Sequence, residues 1–110
     1  MHEVAIMEEA VRLAVEAAGT RRVRKLSLRV GALSGVVPDA LRFAFDVVGR
    51  GTVVAGASLE IESVPAVCWC ATCGKEFESQ NSLDECPRCH NLSGDLRHGR
   101  ELEIAAVELE

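Results

Sequence analysis

Aromatic residues are scarce in this sequence: they make up 4% of its 110 residues, with three Phe, one Trp and no Tyr. The hydrophobic core must therefore be built from Val, Leu, Ile and Ala. No apolar run approaches the ~18–20 residues that span a bilayer, which excludes a transmembrane helix. Positive charge is not in excess either, because the net charge is −5. This charge disfavours nonspecific attraction to nucleic acid or to anionic lipid.

A signal peptide is not expected either, since the first helical pattern carries Glu8, Glu9, Arg12 and Glu16 and lacks a basic region ahead of it. We therefore expect a cytoplasmic protein, in which the five cysteines do not normally form disulfides. Hydrophobic residues at 48% and charged residues at 26% indicate an ordinary globular protein, without nucleic acid or membrane as a partner.

Hydrophobic periodicity predicts two helices and three strands. Residues 4–18 repeat apolar side chains with helical spacing, and Pro38 begins a second helical pattern that ends near Gly49. Alternating apolar and polar residues predict three strands, at 23–30, 58–64 and 101–110.

Residues 66–100 interrupt this pattern, because they are rich in Cys, Gly, Asn, Asp and Ser and show little periodicity. The sequence therefore predicts an α+β fold. A small two-helix, three-stranded-sheet domain of residues 1–65 plus 101–110 would carry an inserted zinc-ribbon-like module at 66–100. An insertion on two connecting strands could also act as a swap hinge, so a monomer and a homodimer are both open.

The inserted segment contains two C-x2-C pairs separated by twelve residues, Cys70 with Cys73 and Cys86 with Cys89. Each pair can offer two thiolates to one tetrahedral metal, and zinc is the default for a site made of sulfur alone. Two alternatives are a rubredoxin-like iron site, which the scarcity of aromatic residues disfavours, and a disulfide pair, which a reducing compartment disfavours.

Two further residues of this segment could bind metal. Cys68 is either a packing thiol or an alternative ligand, and His90 either has a loop role or replaces a cysteine. Residues 66–100 hold four basic and five acidic side chains, so a nucleic-acid surface is not expected. A zinc ion with four thiolates has no open position for water, and we predict no catalytic residues.

The chain begins MHE, which raises a second metal site. The amine of Met1, the backbone nitrogen of His2 and the His2 imidazole can form two fused chelate rings around one metal. A planar set of nitrogens that includes a deprotonated amide suits Ni(II) or Cu(II). A fourth position remains open to Glu3, His98 or His90. From these residues alone, a frayed chain end without metal is the competing interpretation.

Five stretches in order along the whole chain resemble the HypA/HybF family of hydrogenase nickel-incorporation proteins. They are MHE, RVGALSGVVPDALRFAFDVV, ASLEIE, C-x2-C-G followed by C-P-x-C-H, and GRELEI. The resemblance implies a metallochaperone and not an enzyme. Such a protein carries Ni(2+) as transient cargo and delivers it to the [NiFe]-hydrogenase large subunit. It works with the GTPase HypB, and some members also serve urease.

The resemblance also implies which residues bind metal. In the family the N-terminal histidine and the adjacent acidic residue serve nickel binding, here His2 and Glu3. The paired cysteines hold a structural Zn(2+), here Cys70, Cys73, Cys86 and Cys89. His98 is our own candidate for the fourth nickel donor and not a general family ligand. The competing interpretation is a strand-edge histidine exposed to water.

Overall fold

The structure is a computed structural model that describes residues 2–79 and 84–110. Within those ranges the strands form three sheets, two of three strands and one of two strands. The predicted α+β architecture, with two helices and a three-stranded sheet, is confirmed. In chain order the elements are α1 (His2–Ala18), β1 (Val23–Gly31), α2 (Pro38–Val48), β2 (Ser58–Val64), β3 (Val67–Cys70), β4 (Lys75–Glu78), β5 (Asp84–Glu85), β6 (Leu92–Ser93), β7 (Leu96–His98) and β8 (Leu102–Leu109).

Helix α1 is amphipathic, as its sequence pattern predicts. Met7, Val11 and Ala14 recur at helical spacing and are all buried. The helix ends at Gly19, which adopts a φ of +65° and donates its N–H to the carbonyl of Val15. The candidate nickel residues His2 and Glu3 lie at the other end of α1, in its first turn.

Helix α2 packs against α1 through a buried stripe. Pro38 lies in the first turn of α2. Proline has no N–H, and none is needed there because the first N–H groups of a helix have no intrahelical acceptor. Leu41, Ala44 and Phe45 are buried, whereas Phe43 is 70% exposed. In the part of the chain that the structure describes, neither helix has the length and apolar character needed to cross a membrane.

The sheet β2-β1-β8 has one apolar and one charged face. Leu26 and Leu28 of the central strand β1 are buried. On the other face the Arg29 guanidinium lies 2.8 Å from a carboxylate oxygen of Glu62 in β2 and 3.3 Å from one of Glu103 in β8. One cation thus joins all three strands of the sheet.

The chain divides into two compact units. The first contains Met1–Arg29, Val36–Glu62 and Glu103–Glu110, and therefore both helices; the second contains Val30–Gly35 and Ser63–Leu102, and therefore β3 to β7. The domain boundaries that the sequence predicts, 1–65 plus 101–110 and 66–100, stay a prediction.

The second unit has a small core in which cysteine is the main residue type. Cys68, Cys70, Phe77 and Cys86 are buried, and Leu96 packs against them. Cys68 and Phe77 face each other across the antiparallel pair β3 and β4. Because this core contains few apolar side chains, it buries little apolar surface. The stability of this unit therefore depends on the cysteine cluster.

Candidate metal sites

Both cysteine pairs lie in tight turns of the same backbone geometry. In the first turn Gly74 has a φ of +65° and donates its N–H to the carbonyl of Cys70 at 2.8 Å. In the second, His90 has a φ of +66° and donates its N–H to the carbonyl of Cys86 at 2.9 Å. The loop role weighed for His90 therefore has a structural basis, because its backbone closes the second turn.

The two turns bring four sulfur atoms together. The Sγ atoms of Cys70, Cys73, Cys86 and Cys89 all lie within 4.8 Å of one another. Cys70 Sγ is 3.5 Å from Cys89 Sγ, and Cys73 Sγ is 3.9 Å from Cys86 Sγ. A Zn–S bond of about 2.3 Å places the sulfurs of a tetrahedral site roughly 3.8 Å apart. The donor set and its spacing therefore fit one zinc ion, and all five thiols are free, without a disulfide.

The thiols of this cluster differ in acidity. The backbone N–H groups of Cys89 and then Arg88 lower the pKa of the Cys86 thiol to about 6, against the effect of burial. The N–H of Asn91 lowers the pKa of the Cys89 thiol, but burial and the three neighbouring thiols raise it to about 12. Four thiolates so close together repel one another, and a divalent cation at their centre would remove that repulsion.

Cys68 lies outside this group of four sulfurs. Its side chain is completely buried against Phe77 in the core of the second unit. Among the described residues, the group that could hold a metal consists of the other four cysteines. This placement agrees with the packing role that was one of the two interpretations of Cys68.

The structure places His2 and Glu3 together in the first turn of α1. His2 is exposed, and its Nε2 lies 3.5 Å from Oε2 of Glu3. Glu3 is only 9% exposed, and the same oxygen accepts the backbone N–H of Val37 at 3.4 Å. Its own backbone N–H, and then that of Val37, lower the pKa of the Glu3 carboxyl against the effect of burial. Met1 lies outside the described residues.

His98 lies in the second unit, at the end of β7, and pairs with Val67 in the sheet. Its ring is exposed, and Nδ1 is 3.3 Å from Oε2 of Glu101. The N–H of Gly99, followed by that of Glu101 itself, lowers the pKa of the Glu101 carboxyl. Sequence reasoning missed Glu101, because a spacing of three residues from His98 does not by itself predict a contact outside a helix.

Comparison with known proteins identifies the family. The model of a family described as "Hydrogenase/urease nickel incorporation, metallochaperone, hypA" matches residues 1–109. The chain belongs to the HypA family. The resemblance seen in the sequence is thereby confirmed, and the family is described as one of nickel metallochaperones.

Curated relatives match over nearly their whole length. A hydrogenase maturation factor HypA from Picosynechococcus sp. is 46% identical over 112 residues, covering 99% of each chain. A HypA from Chloroflexus aurantiacus is 47% identical over 112 residues, covering 98% of each chain.

Solved structures of HypA proteins share the fold. The solution structure of the Ni metallochaperone HypA from Helicobacter pylori has a TM-score of 0.65 and 18% identity, over 97% of this chain and 96% of that one. A second HypA solution structure has a TM-score of 0.70 and 21% identity, over 100% of this chain and 97% of that one. At such identities the likeness supports the fold alone.

Proposed function

We propose that this protein binds Ni(2+) as transient cargo and delivers it to the [NiFe]-hydrogenase large subunit, with HypB as its GTPase partner. The observation that carries the proposal is the match of residues 1–109 to a nickel-incorporation metallochaperone family. We place this protein in the cytoplasm, because that compartment keeps the thiols of the four-cysteine cluster reduced.

The proposed nickel chelate consists of the Met1 amine, the His2 backbone nitrogen and the His2 imidazole. Helix α1 begins at His2, and the first N–H groups of a helix have no intrahelical acceptor. The His2 amide is therefore available for deprotonation by the metal. Its own side chain can close a six-membered ring only through Nδ1, and the contact of His2 with Glu3 is made by the other ring nitrogen, Nε2.

The fourth nickel position has three candidates from the sequence, Glu3, His98 and His90, of which the first two form the proposed site. Glu3 supplies a carboxylate beside a helix N-terminus, where the partial positive charge of the helix disfavours an uncompensated cation. His98 supplies a neutral imidazole, the donor type that suits Ni(II).

The proposed second metal is a structural zinc bound by Cys70, Cys73, Cys86 and Cys89. Sulfur separations of 3.5 and 3.9 Å support it, as does the small core of the unit that contains these residues. Iron would fit the same sulfur spacing. Metal analysis of the purified protein distinguishes the two ions, and so does its colour, because a zinc site is colourless and an iron–thiolate site is coloured.

The first experiment is a Ni(II) titration of the zinc-loaded protein. Calorimetry measures the amount of nickel bound, and optical spectra show whether the nickel complex is planar. We expect His2→Ala and a variant with residues added before Met1 to lose about one equivalent of nickel each. His90→Ala removes another exposed imidazole and tests the third candidate for the fourth position, and unchanged nickel binding in this variant would exclude His90 as a donor. Equal binding by all variants would place the nickel site outside the N-terminus.

A second experiment tests delivery. Nickel-loaded protein is mixed with the nickel-free large-subunit precursor of a [NiFe]-hydrogenase, with and without HypB and GTP, and the two proteins are separated. We expect nickel on the large subunit after mixing with the unaltered protein but not after mixing with the His2→Ala variant. Nickel that stays on the unaltered protein under all conditions contradicts the proposed delivery.

A further inference from the structure

His98 is exposed, but its ring is held by a neighbour. The side chain is 54% exposed, and its residue is the last of β7. Glu101, whose side chain is only 22% exposed, lies beside the ring, with its Oε2 3.3 Å from Nδ1. An exposed histidine normally samples several rotamers, so a contact with a half-buried carboxylate restricts this one.

Both carboxylate oxygens of Glu101 have partners. Oε1 accepts the backbone N–H of Gly99 at 2.7 Å, while Oε2 faces His98. The carboxylate is therefore fixed at two points, one on the backbone and one on the ring. A carboxylate held in this way defines the direction in which the imidazole points.

The backbone that carries both residues is closely packed. The N–H of Gly31 donates to the carbonyl of Glu101 at 2.7 Å, and the N–H of Leu33 donates to the carbonyl of Gly99 at the same distance. Gly99 has a φ of +126°, and a Cβ there would lie 2.8 Å from Cα of Ala66. A Cβ on Gly31 would lie 2.1 Å from the Gly99 oxygen. Only glycine fits at these two positions, and the two hydrogen bonds tie the backbone between His98 and Glu101 to residues 31–33.

The chemistry of the pair fixes the tautomer of His98. An ionised carboxylate can only accept hydrogen bonds, so Nδ1 must carry the proton. A neutral ring protonated at Nδ1 presents the lone pair of Nε2, away from Glu101. A metal-binding histidine usually donates its other ring N–H to a carboxylate or carbonyl group in this manner.

We propose that Glu101 is a positioning residue that holds His98 in the Nδ1–H tautomer and presents its Nε2 as a nickel donor. The inference rests on the proposed function, in which His98 is a candidate for the fourth nickel donor. It adds a residue that does not contact the metal and that acts through the orientation and tautomer of its neighbour.

The pair of His90 and Glu85 provides a matched comparison within the same unit. His90 Nδ1 is 3.4 Å from Glu85 Oε2, nearly the same distance, but both side chains are well exposed at 71% and 57%. Water competes for this contact much more than for the contact of His98 with Glu101. The variant Glu85→Gln is therefore the control for Glu101→Gln.

The first test reads the tautomers of the ring nitrogens by long-range ¹H–¹⁵N NMR on the zinc-loaded full-length protein, without nickel. We expect His98 to be protonated at Nδ1, whereas histidines free in water favour Nε2–H. Glu101→Gln should move the His98 proton to Nε2, because the amide can donate to Nδ1, and Glu85→Gln should leave His98 unchanged. An Nε2–H tautomer of His98 in the unaltered protein overturns the proposal.

The second test measures nickel affinity on the same variants. A lost outer partner typically costs 10–100-fold in metal affinity, and we expect Glu101→Gln to weaken Ni(II) binding at least tenfold. Zinc content and circular dichroism check folding, and Glu101→Asp, which keeps the charge but is too short to reach His98, serves as a second variant. Unchanged affinity in both variants overturns the proposal.

The two proposals fail in different ways. If His98→Ala binds nickel as tightly as the unaltered protein, His98 is not a donor, and the role of Glu101 in nickel binding is overturned even if the tautomer is as expected. If His2→Ala still binds nickel, the N-terminal site itself is wrong. A loss of binding in His98→Ala and in Glu101→Gln, but not in Glu85→Gln, supports the positioning role.

Discussion

Gly74 and His90 occupy equivalent positions in the two cysteine turns. Both have a positive φ, +65° and +66°, and both close a turn through the same backbone hydrogen bond. Glycine adopts this conformation freely, whereas in a residue with a Cβ it raises the conformational free energy by roughly 1–2 kcal/mol. The second turn therefore carries a local strain that the first one lacks.

At the residue scale we predict that Gly74→Ala lowers zinc affinity by about 5–30-fold, which corresponds to 1–2 kcal/mol. A Cβ at Gly74 would meet no atom within 4 Å, so the backbone conformation alone causes the loss. Competition with a chromophoric chelator measures it. His90→Ala is the control and should change the affinity little, because a Cβ is already present there. Equal losses in the two variants contradict this account.

The residues of the sites differ in how far the sequence reveals them. The four-cysteine cluster could be predicted from the sequence. Two C-x2-C pairs are typical of one metal site, and the twelve residues between them are enough for the chain to fold back. Glu101 was missed because its role depends on a turn made possible by the close approach of Gly31 and Gly99. Such an approach between residues far apart in the chain has no local pattern. The contact of Glu3 with the Val37 N–H was missed for the same reason.

At the element scale the long elements were predictable and the short strands were not. Helices α1 and α2 and strands β1, β2 and β8 have enough residues to show a period of 3.6 or 2. Strands β3 to β7 have two to four residues each. Runs this short show no measurable period, and their arrangement follows from the cysteine turns that join them.

We predict that Cys73→Ser removes zinc and unfolds the second unit while α1 and α2 stay folded. Structural zinc contributes about 10–16 kcal/mol to small metal-binding domains, and the core of this unit is too small to replace it. Amide hydrogen exchange should show loss of protection in β3 and β4 but not in α1. Cys68→Ala is the control, since it removes a buried thiol outside the metal cluster and should keep the zinc. Loss of protection throughout the chain would show that the two units fold as one.

At the scale of the whole molecule, ion pairs connect strands that are far apart in the sequence. Lys25 in β1 lies 3.3 Å from carboxylate oxygens of both Glu60 in β2 and Glu108 in β8. Arg24 also pairs with Glu108. The chain carries a net charge of −5, and these contacts place cations between acidic side chains that would otherwise repel one another across the sheet.

The Glu108 contacts make the stability of the sheet dependent on pH. Hydrogen bonds from Arg24 and then Lys25 lower the pKa of the Glu108 carboxyl below its usual value of 4.5. The folded protein therefore binds this proton less readily than the unfolded chain. The stabilisation from Glu108 is fully present above pH ~4.5 and is lost as pH falls through the lower folded pKa.

We therefore predict that Glu108→Gln unfolds at a lower urea concentration than the unaltered protein at pH 7, and that the difference shrinks as pH falls below about 4.5. Zinc dissociates at acidic pH in both proteins, so comparing the two cancels that contribution. About 1 M NaCl at pH 7 should also reduce the difference, because Arg24 is exposed and Lys25 partly exposed to solvent, and salt screens such pairs. A difference that stays constant from pH 7 to pH 3 would mean that the charge of Glu108, and with it the ion pairs to Arg24 and Lys25, adds nothing to the stability of the sheet.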